Sequence, residues 1–382
     1  MTDASATPPR APEPAVAPRL IATDLDGTLL HDDKTVSDRT IAALAAAERA
    51  GIEVFFVTGR PARWMDVVSD HVHGHGLAIC ANGAAVVDLH RGRRIVEVSP
   101  LERAVAIDVV DILRSAAPGT SFAVERTGGI HYEPHYPPFH RDPAAVIAPA
   151  EKLLAEDFAP PPAPDTTGID ATGIEVTGID VGEGDAGRIG ADALGGVNGA
   201  APGPAATGVD DISDTLTAPA RGSATAQDAA GGTEAAVFVS STSGIDTPAG
   251  HINTTGPNQP VLKLLAHHPE MDPDAFLALA RSAAGGLASF TRSSPTALLE
   301  ISGPGVSKAG TLARCCAERG IAPAEVVAFG DMPNDIEMLT WAGTAYAMAN
   351  AHPDVLAATD HRTESNNNDG VAAVIERIVQ GR

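Results

Sequence analysis

Cysteine is nearly absent from this 382-residue chain: it has Cys80, Cys315 and Cys316, and the last two are adjacent, a poor geometry for an ordinary structural disulfide. A disulfide-stapled scaffold is excluded, and the redox reading is a reducing cytoplasm. Long basic stretches are missing as well. With a formal net charge of -23 and no long run of Lys and Arg, the chain is poorly equipped to neutralise a phosphate backbone, so nucleic acid is not an expected partner. No apolar run reaches about 18 residues, so no membrane span is expected. The start, MTDASATPPRAPEPAVAPRL, lacks a basic segment followed by an apolar core, and residues 1–18 read as a Pro/Ala-rich disordered tail.

Aromatic residues are missing from one long stretch. Between 159 and 258 the chain is rich in Gly, Ala, Pro, Thr and Asp, and Phe238 is its sole aromatic. Residues 157–258 carry fourteen Asp or Glu against two Arg, about half of the net negative charge. A five-residue pattern recurs there: Thr-Thr-Gly-Ile-Asp at 166–170, Ala-Thr-Gly-Ile-Glu at 171–175 and Val-Thr-Gly-Ile-Asp at 176–180, with weaker echoes at 207–211 and 242–246. One apolar position in five buries too little surface to offset the cost of ordering the backbone. The stretch is therefore expected to be a disordered insert; a small calcium-binding β-roll is the alternative, and its long-period Gly/Asp nonapeptide is missing.

What is present on either side is an alternation of strands and helices. Leu20 to Thr23 reads as a buried parallel strand ending at Asp24-Leu25-Asp26-Gly27-Thr28. Ser37 can cap a helix through Ala50 that stops at Gly51. Ile52 to Val57 is a second strand, followed by Thr58-Gly59-Arg60 and, after Pro61, a helix carrying Trp64, Met65 and Val68. Alternation resumes with a helix from Lys308, a strand at Val326 to Phe329, the segment Gly330-Asp331-Met332-Pro333-Asn334-Asp335, and a helix from Ile336 to Trp341. This predicts an α/β fold: a Rossmann-like, doubly wound parallel-sheet core from residues 19–84 and 302–382, with sites at the carboxyl ends of its strands. Residues 85–158 and 259–301 read as an inserted α+β cap that carries the insert at 159–258.

The polar motifs collect at those strand ends. Asp24 and Asp26 leave the first strand into a Gly-Thr turn, and a magnesium ion beside them would suppress their repulsion and neutralise a phosphate, leaving Asp24 to attack phosphorus. Asp26 could then donate a proton to the leaving oxygen and later take one from water. The bland alternative is a solvated acidic turn. Thr58 offers a hydroxyl and neighbouring backbone N–H groups to phosphoryl oxygens, and Lys308, at a helix start, suits an anion. Glycines before a Lys can also signal a nucleotide loop, but Ser307 precedes Lys308 and Ala309 follows it, which fails that spacing. Asp331 could complete an oxygen-ligand set, while Asp335 could hold Lys308 or a metal-bound water, or could serve only the helix start. His71, His73 and His75 form a weak zinc candidate in a Gly-rich loop, and His131, His135 and His140 are candidate substrate contacts. Cys315 and Cys316 read as buried fillers.

In this order, Asp24-Leu25-Asp26-Gly27-Thr28-Leu29, Thr58-Gly59-Arg60, Lys308 and Gly330-Asp331-x-x-Asn334-Asp335 resemble the haloacid dehalogenase-like (HAD) hydrolase superfamily. The long insertion between the second and third motifs resembles its Cof-type, class IIB branch, as do Asn82-Gly83-Ala84, Ala349-Asn350-Ala351 and Asn368-Asp369-Gly370-Val371. The resemblance implies a cap closing over the substrate, one Mg2+ and an aspartyl-phosphate intermediate. By motif, Asp24 is nucleophile and metal ligand. Asp26 is the acid/base and binds metal through its backbone carbonyl. Thr58, Gly59, Lys308 and Asn334 bind the phosphoryl group, Asp331 binds metal, and Asp335 supports the site. The expected function is hydrolysis of a small phosphorylated metabolite such as a sugar phosphate. A phosphomutase and a non-catalytic regulatory protein are the alternatives, and a dehalogenase fits the acidic set less well.

Overall fold

The computed structural model describes residues 16–71, 76–90, 92–137, 142, 144–160, 252–292 and 298–382. His73, His75, His140, the five-residue repeats and nearly all of the expected tail and insert lie outside the described residues.

Strand β1 (Leu20–Thr23) is buried along its whole length, as its unbroken apolar sequence requires of a strand covered on both faces. Ser37 caps helix α1 (Asp38–Arg49) by accepting from the Thr40 N–H, and Gly51 follows with a left-handed φ of 75°. Strand β2 (Glu53–Val57) comes next. The helix expected after Pro61 is instead a 3-10 turn, Ala62–Trp64, and one turn of α2 (Asp66–Ser69), separated by Met65. Strand β3 (Leu77–Cys80), unread in the sequence, leads into a tight turn. In the stretch expected to open the cap, β4 (Ala85–Asp88) pairs antiparallel with β3 and β5 (Arg94–Val98) pairs antiparallel with β4, so both extend the core sheet. The turn at Ala81, Asn82 and Gly83, all at positive φ, reverses the chain and keeps it in the same sheet.

The chain then builds the cap: α3 (Arg103–Ala116), β6 (Ser121–Arg126), β7 (Gly129–Tyr132), α4 (Ala150–Leu153), β8 (Val261–His267), α5 (Pro273–Ala284), β9 (Ser289–Thr291) and β10 (Leu298–Ser302). It returns to the core through α6 (Lys308–Glu318), β11 (Val326–Gly330), α7 (Ile336–Trp341), β12 (Thr344–Ala347), α8 (Pro353–Ala358), β13 (His361–Arg362) and α9 (Gly370–Gln380). The core sheet has the order β13-β12-β11-β1-β2-β3-β4-β5, and β4 alone runs against the other strands. From β1 the chain moves one way to β2, and from β11 the other way to β12. Right-handed crossovers then put α1 and α7 on opposite faces and open a crevice at the carboxyl ends of β1 and β11.

The cap sheet, β7-β6-β8-β10-β9, is antiparallel. Strand alternation divides its faces. Phe122, Val124, Leu264, Ala266, Leu299 and Ile301 pack beneath the cap helices, while Ala123, Leu265 and Tyr132 share the other face. Among the described residues, no helix is long and apolar enough to cross a membrane.

Arg126 ties together the two points where the chain leaves and rejoins the described cap. Fully buried, it donates to the carbonyls of Gln259 and Leu153, each at 2.5 Å, and lies 4.9 Å from the centre of the Phe158 ring. Burial pulls its guanidinium down to about 10, so it stays charged at neutral pH. His131, a candidate substrate contact in the sequence, sits on the helix-covered face. It accepts the Val146 N–H at Nδ1 and meets Phe158 edge-on, and burial pulls it down to about 4, so it is neutral. Arg126→Met keeps much of the volume but strands two carbonyls, and should cost about 2 kcal/mol or more. Thermal unfolding checks this, and an unchanged melting temperature would contradict it.

Candidate active site

Four distant stretches converge on the crevice between β1 and β11. Asp24 follows β1 directly, Asp331 follows β11, Lys308 opens α6 and Asp335 precedes α7. The Lys308 ammonium donates to Asp24 Oδ1 at 2.6 Å and to Asp335 Oδ1 at 2.7 Å, and all three side chains are almost wholly buried. Burial pulls the lysine pKa down, but the two carboxylates outweigh it and hold it above its ordinary value. Asp335 Oδ2 accepts the backbone N–H groups of Asp331 at 3.1 Å and Met332 at 3.0 Å, so both its oxygens are spent on scaffolding. The absence of a side chain at Gly330 permits this, since a Cβ there would lie 2.6 Å from the Asp335 Cβ.

Oxygen atoms of Asp24, Asp331 and Asp335 all come within 4.8 Å of one another. Burial raises the Asp24 carboxyl well above its ordinary range; Lys308 pulls it back, and Asp335 and Asp331 push it further up. Asp331 is pushed up to about 7 by burial and then by Asp335, although the Thr28 hydroxyl donates to its Oδ1 at 2.9 Å. Among the described residues, no hydrogen bond engages Asp24 Oδ2 or Asp331 Oδ2. Hard oxygen donors carrying more negative charge than one ammonium offsets fit a divalent cation, with Asp24 and Asp331 the residues able to hold it. Gly27, at φ 77°, makes room: a Cβ would stand 2.3 Å from Asp331 Oδ2.

Asp26 is not in that cluster. Arg60 grips its carboxylate with Nε at 2.6 Å and a terminal nitrogen at 2.7 Å, and Lys34 adds a third bond at 2.9 Å. Burial raises this carboxyl, but the hydrogen bonds and charges of Arg60 and Lys34 outweigh it and leave it below the ordinary value. Arg60 was legible as part of Thr58-Gly59-Arg60, but its partner was not. Thr58 is buried at the end of β2, and its hydroxyl accepts the Arg60 N–H at 3.1 Å. Its proton and the Gly59 N–H have no acceptor among the described residues. Asn334 donates to Asn82 at 3.2 Å and keeps a buried Oδ1 with no partner among the described residues. The sequence placed Asn334 beside phosphate; the structure ties it to Asn82, which the sequence valued only as a family mark. His71 lies beyond α2, and Cys315 and Cys316 are buried, with burial pushing the Cys316 thiol up to about 12.

The haloacid dehalogenase-like hydrolase family profile matches residues 21–149 and 240–375, more than half of the chain. The chain belongs to this family. Its inserted cap is similar in fold to that of a solved subclass IIB sugar phosphatase. Among curated relatives, it is 48% identical over 77 residues to the 5-amino-6-(5-phospho-D-ribitylamino)uracil phosphatase YbjI of Escherichia coli, covering 20% of this chain and 28% of that one. The chain thus spans less than a third of that relative's length. The phosphatase BT1666 of Bacteroides thetaiotaomicron shares the fold with a TM-score of 0.58 at 17% identity, over 97% of this chain and 99% of the other. The subclass IIB sugar phosphatase BT4131 does so with a TM-score of 0.56 at 16% identity, over 94% and 98%.

A carboxyl raised in the folded state favours folding while protonated and loses that contribution as pH climbs from its unfolded value to its folded one. For Asp331 this window runs from 3.8 to about 7. In chelated protein the melting temperature should fall between about pH 4 and about pH 7, and magnesium should raise it at the upper end. Asp331→Asn should blunt both responses. A melting temperature insensitive to pH and to the metal would contradict the assignment.

Proposed function

We propose that the protein is a magnesium-dependent phosphatase of small phosphorylated metabolites, acting through a phosphoryl group carried transiently on Asp24. The observation that carries this reading is the buried Lys308 ammonium fixed between Asp24 and Asp335, with Asp331 beside them and one Asp24 oxygen unengaged. A carboxylate held this way at a strand end presents a nucleophile without rotamer freedom, which supplies part of the barrier reduction in advance.

Asp24 attacks phosphorus in line. A bond forms to its carboxylate oxygen as the bond to the leaving oxygen breaks, and Asp26 gives that oxygen a proton. To do so Asp26 must turn out of its clamp with Arg60 and Lys34, which holds it ionised, and take up a proton from solvent before the leaving oxygen needs it. Water, losing its proton to Asp26, then attacks phosphorus and frees Asp24. Lys308 steadies Asp24 and the phosphoryl charge, while the Thr58 hydroxyl and the Gly59 N–H supply donors for phosphoryl oxygens. Asp24, Asp331 and the Asp26 backbone carbonyl would hold magnesium, which when bound neutralises charge on the phosphoryl oxygens. The relatives' phosphatase names support a small organic phosphate as substrate, with a sugar phosphate among the first to test.

Asp24→Asn should lower kcat by about 10^4-fold or more on both an aryl phosphate and a sugar phosphate, and chelation should silence the wild-type protein. Undiminished turnover by the variant would refute the role given to Asp24.

A further inference from the structure

The open face of the cap sheet carries Lys263 on β8 and Glu300 on β10, both buried and ion-paired with each other. They reach into the core. Lys263 Nζ also donates to the Gly59 carbonyl at 2.8 Å, and Glu300 Oε2 accepts the Asn82 side-chain amide at 2.8 Å. Gly59 belongs to the turn that offers its own N–H and the Thr58 hydroxyl to the site. The peptide whose carbonyl Lys263 holds is the same one whose N–H, on Arg60, bonds the Thr58 hydroxyl oxygen. Fixing that plane occupies the hydroxyl's acceptor side and leaves its proton for a ligand.

Asn82 gathers the remaining loops. Held in the left-handed region at φ 57°, it donates its backbone N–H to the Thr58 carbonyl at 3.0 Å and accepts from Asn334 at 3.2 Å. The next residue, Gly83, touches the start of α6: Thr311 donates its hydroxyl to the Gly83 carbonyl at 2.9 Å, and a Cβ on Gly83 would stand 2.3 Å from the Ser307 carbonyl oxygen. The cap pair therefore grips the second motif directly, and reaches the loops that carry Asn334 and Lys308 through one amide.

Building on the phosphatase reading above, we propose that Lys263 and Glu300 are positioning residues that assemble the phosphate cradle only when the cap is seated on the core. The charge order explains why both are needed. A Cβ on Gly59 would lie 3.5 and 3.6 Å from the two Glu300 oxygens, so the carboxylate lies against the turn that offers its N–H to a phosphate. Lys263 cancels that charge while holding the Gly59 carbonyl, and Glu300 holds Asn82. Loss of the lysine alone leaves a buried anion next to an anionic substrate.

Lys263→Met should raise KM about tenfold or more for an aryl phosphate and a sugar phosphate alike, and weaken inhibition by inorganic phosphate to match, with a smaller change in kcat. Lys263→Arg should recover part of the loss. The double variant Lys263→Met/Glu300→Gln should bind phosphate better than Lys263→Met alone, because no unpaired charge remains, and it gives the reading if the single variant fails to fold. Orthophosphate titration in magnesium buffer follows the cradle independently of turnover, so a wild-type protein that binds phosphate but hydrolyses nothing would count against the phosphatase reading alone. KM and phosphate affinity within twofold of wild type in Lys263→Met, or a loss confined to one leaving group, would overturn the positioning role.

Discussion

One buried ammonium holds this site together. Lys308 lies between Asp24 and Asp335 with Asp331 alongside, so three carboxylates share one fixed positive charge. Like charges this close and this dry resist ionisation, which is why Asp24 and Asp331 are both driven upward. The arrangement is tolerable because Asp335 is fully hydrogen-bonded, and because the remaining imbalance matches what a divalent cation brings. On the proposed reading, this imbalance is what a metal ion and a phosphate together would relieve.

Topology puts these groups in one place. Asp24 and Asp331 end neighbouring parallel strands, β1 and β11, whose chains depart in opposite directions, and the crevice between them needs no special loop to form. The cap supplies what the core lacks, a second polar wall. Its sheet is apolar where helices cover it and carries Lys263 and Glu300 where it meets the core. The core answers with Arg63, which pairs with Glu125 on the same cap face. Contacts of this kind join the cap to the core through paired charges.

How much of this was legible in the sequence depended on how local the cause was. Strand β1, the Ser37-capped helix and the strand-then-acid segments at Asp24 and Asp331 follow from apolar runs, one capping hydroxyl and neighbouring residues, and all were readable. Residues 85–98 were assigned to the cap, because sequence pattern shows that a segment is extended and not which sheet it joins; the left-handed turn at Asn82 decides that. The Arg60 grip on Asp26 and the pairing of Lys263 with Glu300 were invisible, since each joins residues far apart in sequence and depends on the finished fold. His131 shows the converse error. A histidine among tyrosines looked like a substrate contact, but strand alternation turns it toward Phe158 and the cap helices.

The proposed chemistry requires Asp24 to be the group that captures phosphorus. Borohydride trapping during turnover of an aryl phosphate, followed by peptide mass mapping, addresses this directly, because reduction converts a phosphorylated aspartate to homoserine. The structure predicts homoserine at position 24 in the peptide that follows β1. Reduction at any other carboxylate, with position 24 left as aspartate, would contradict it.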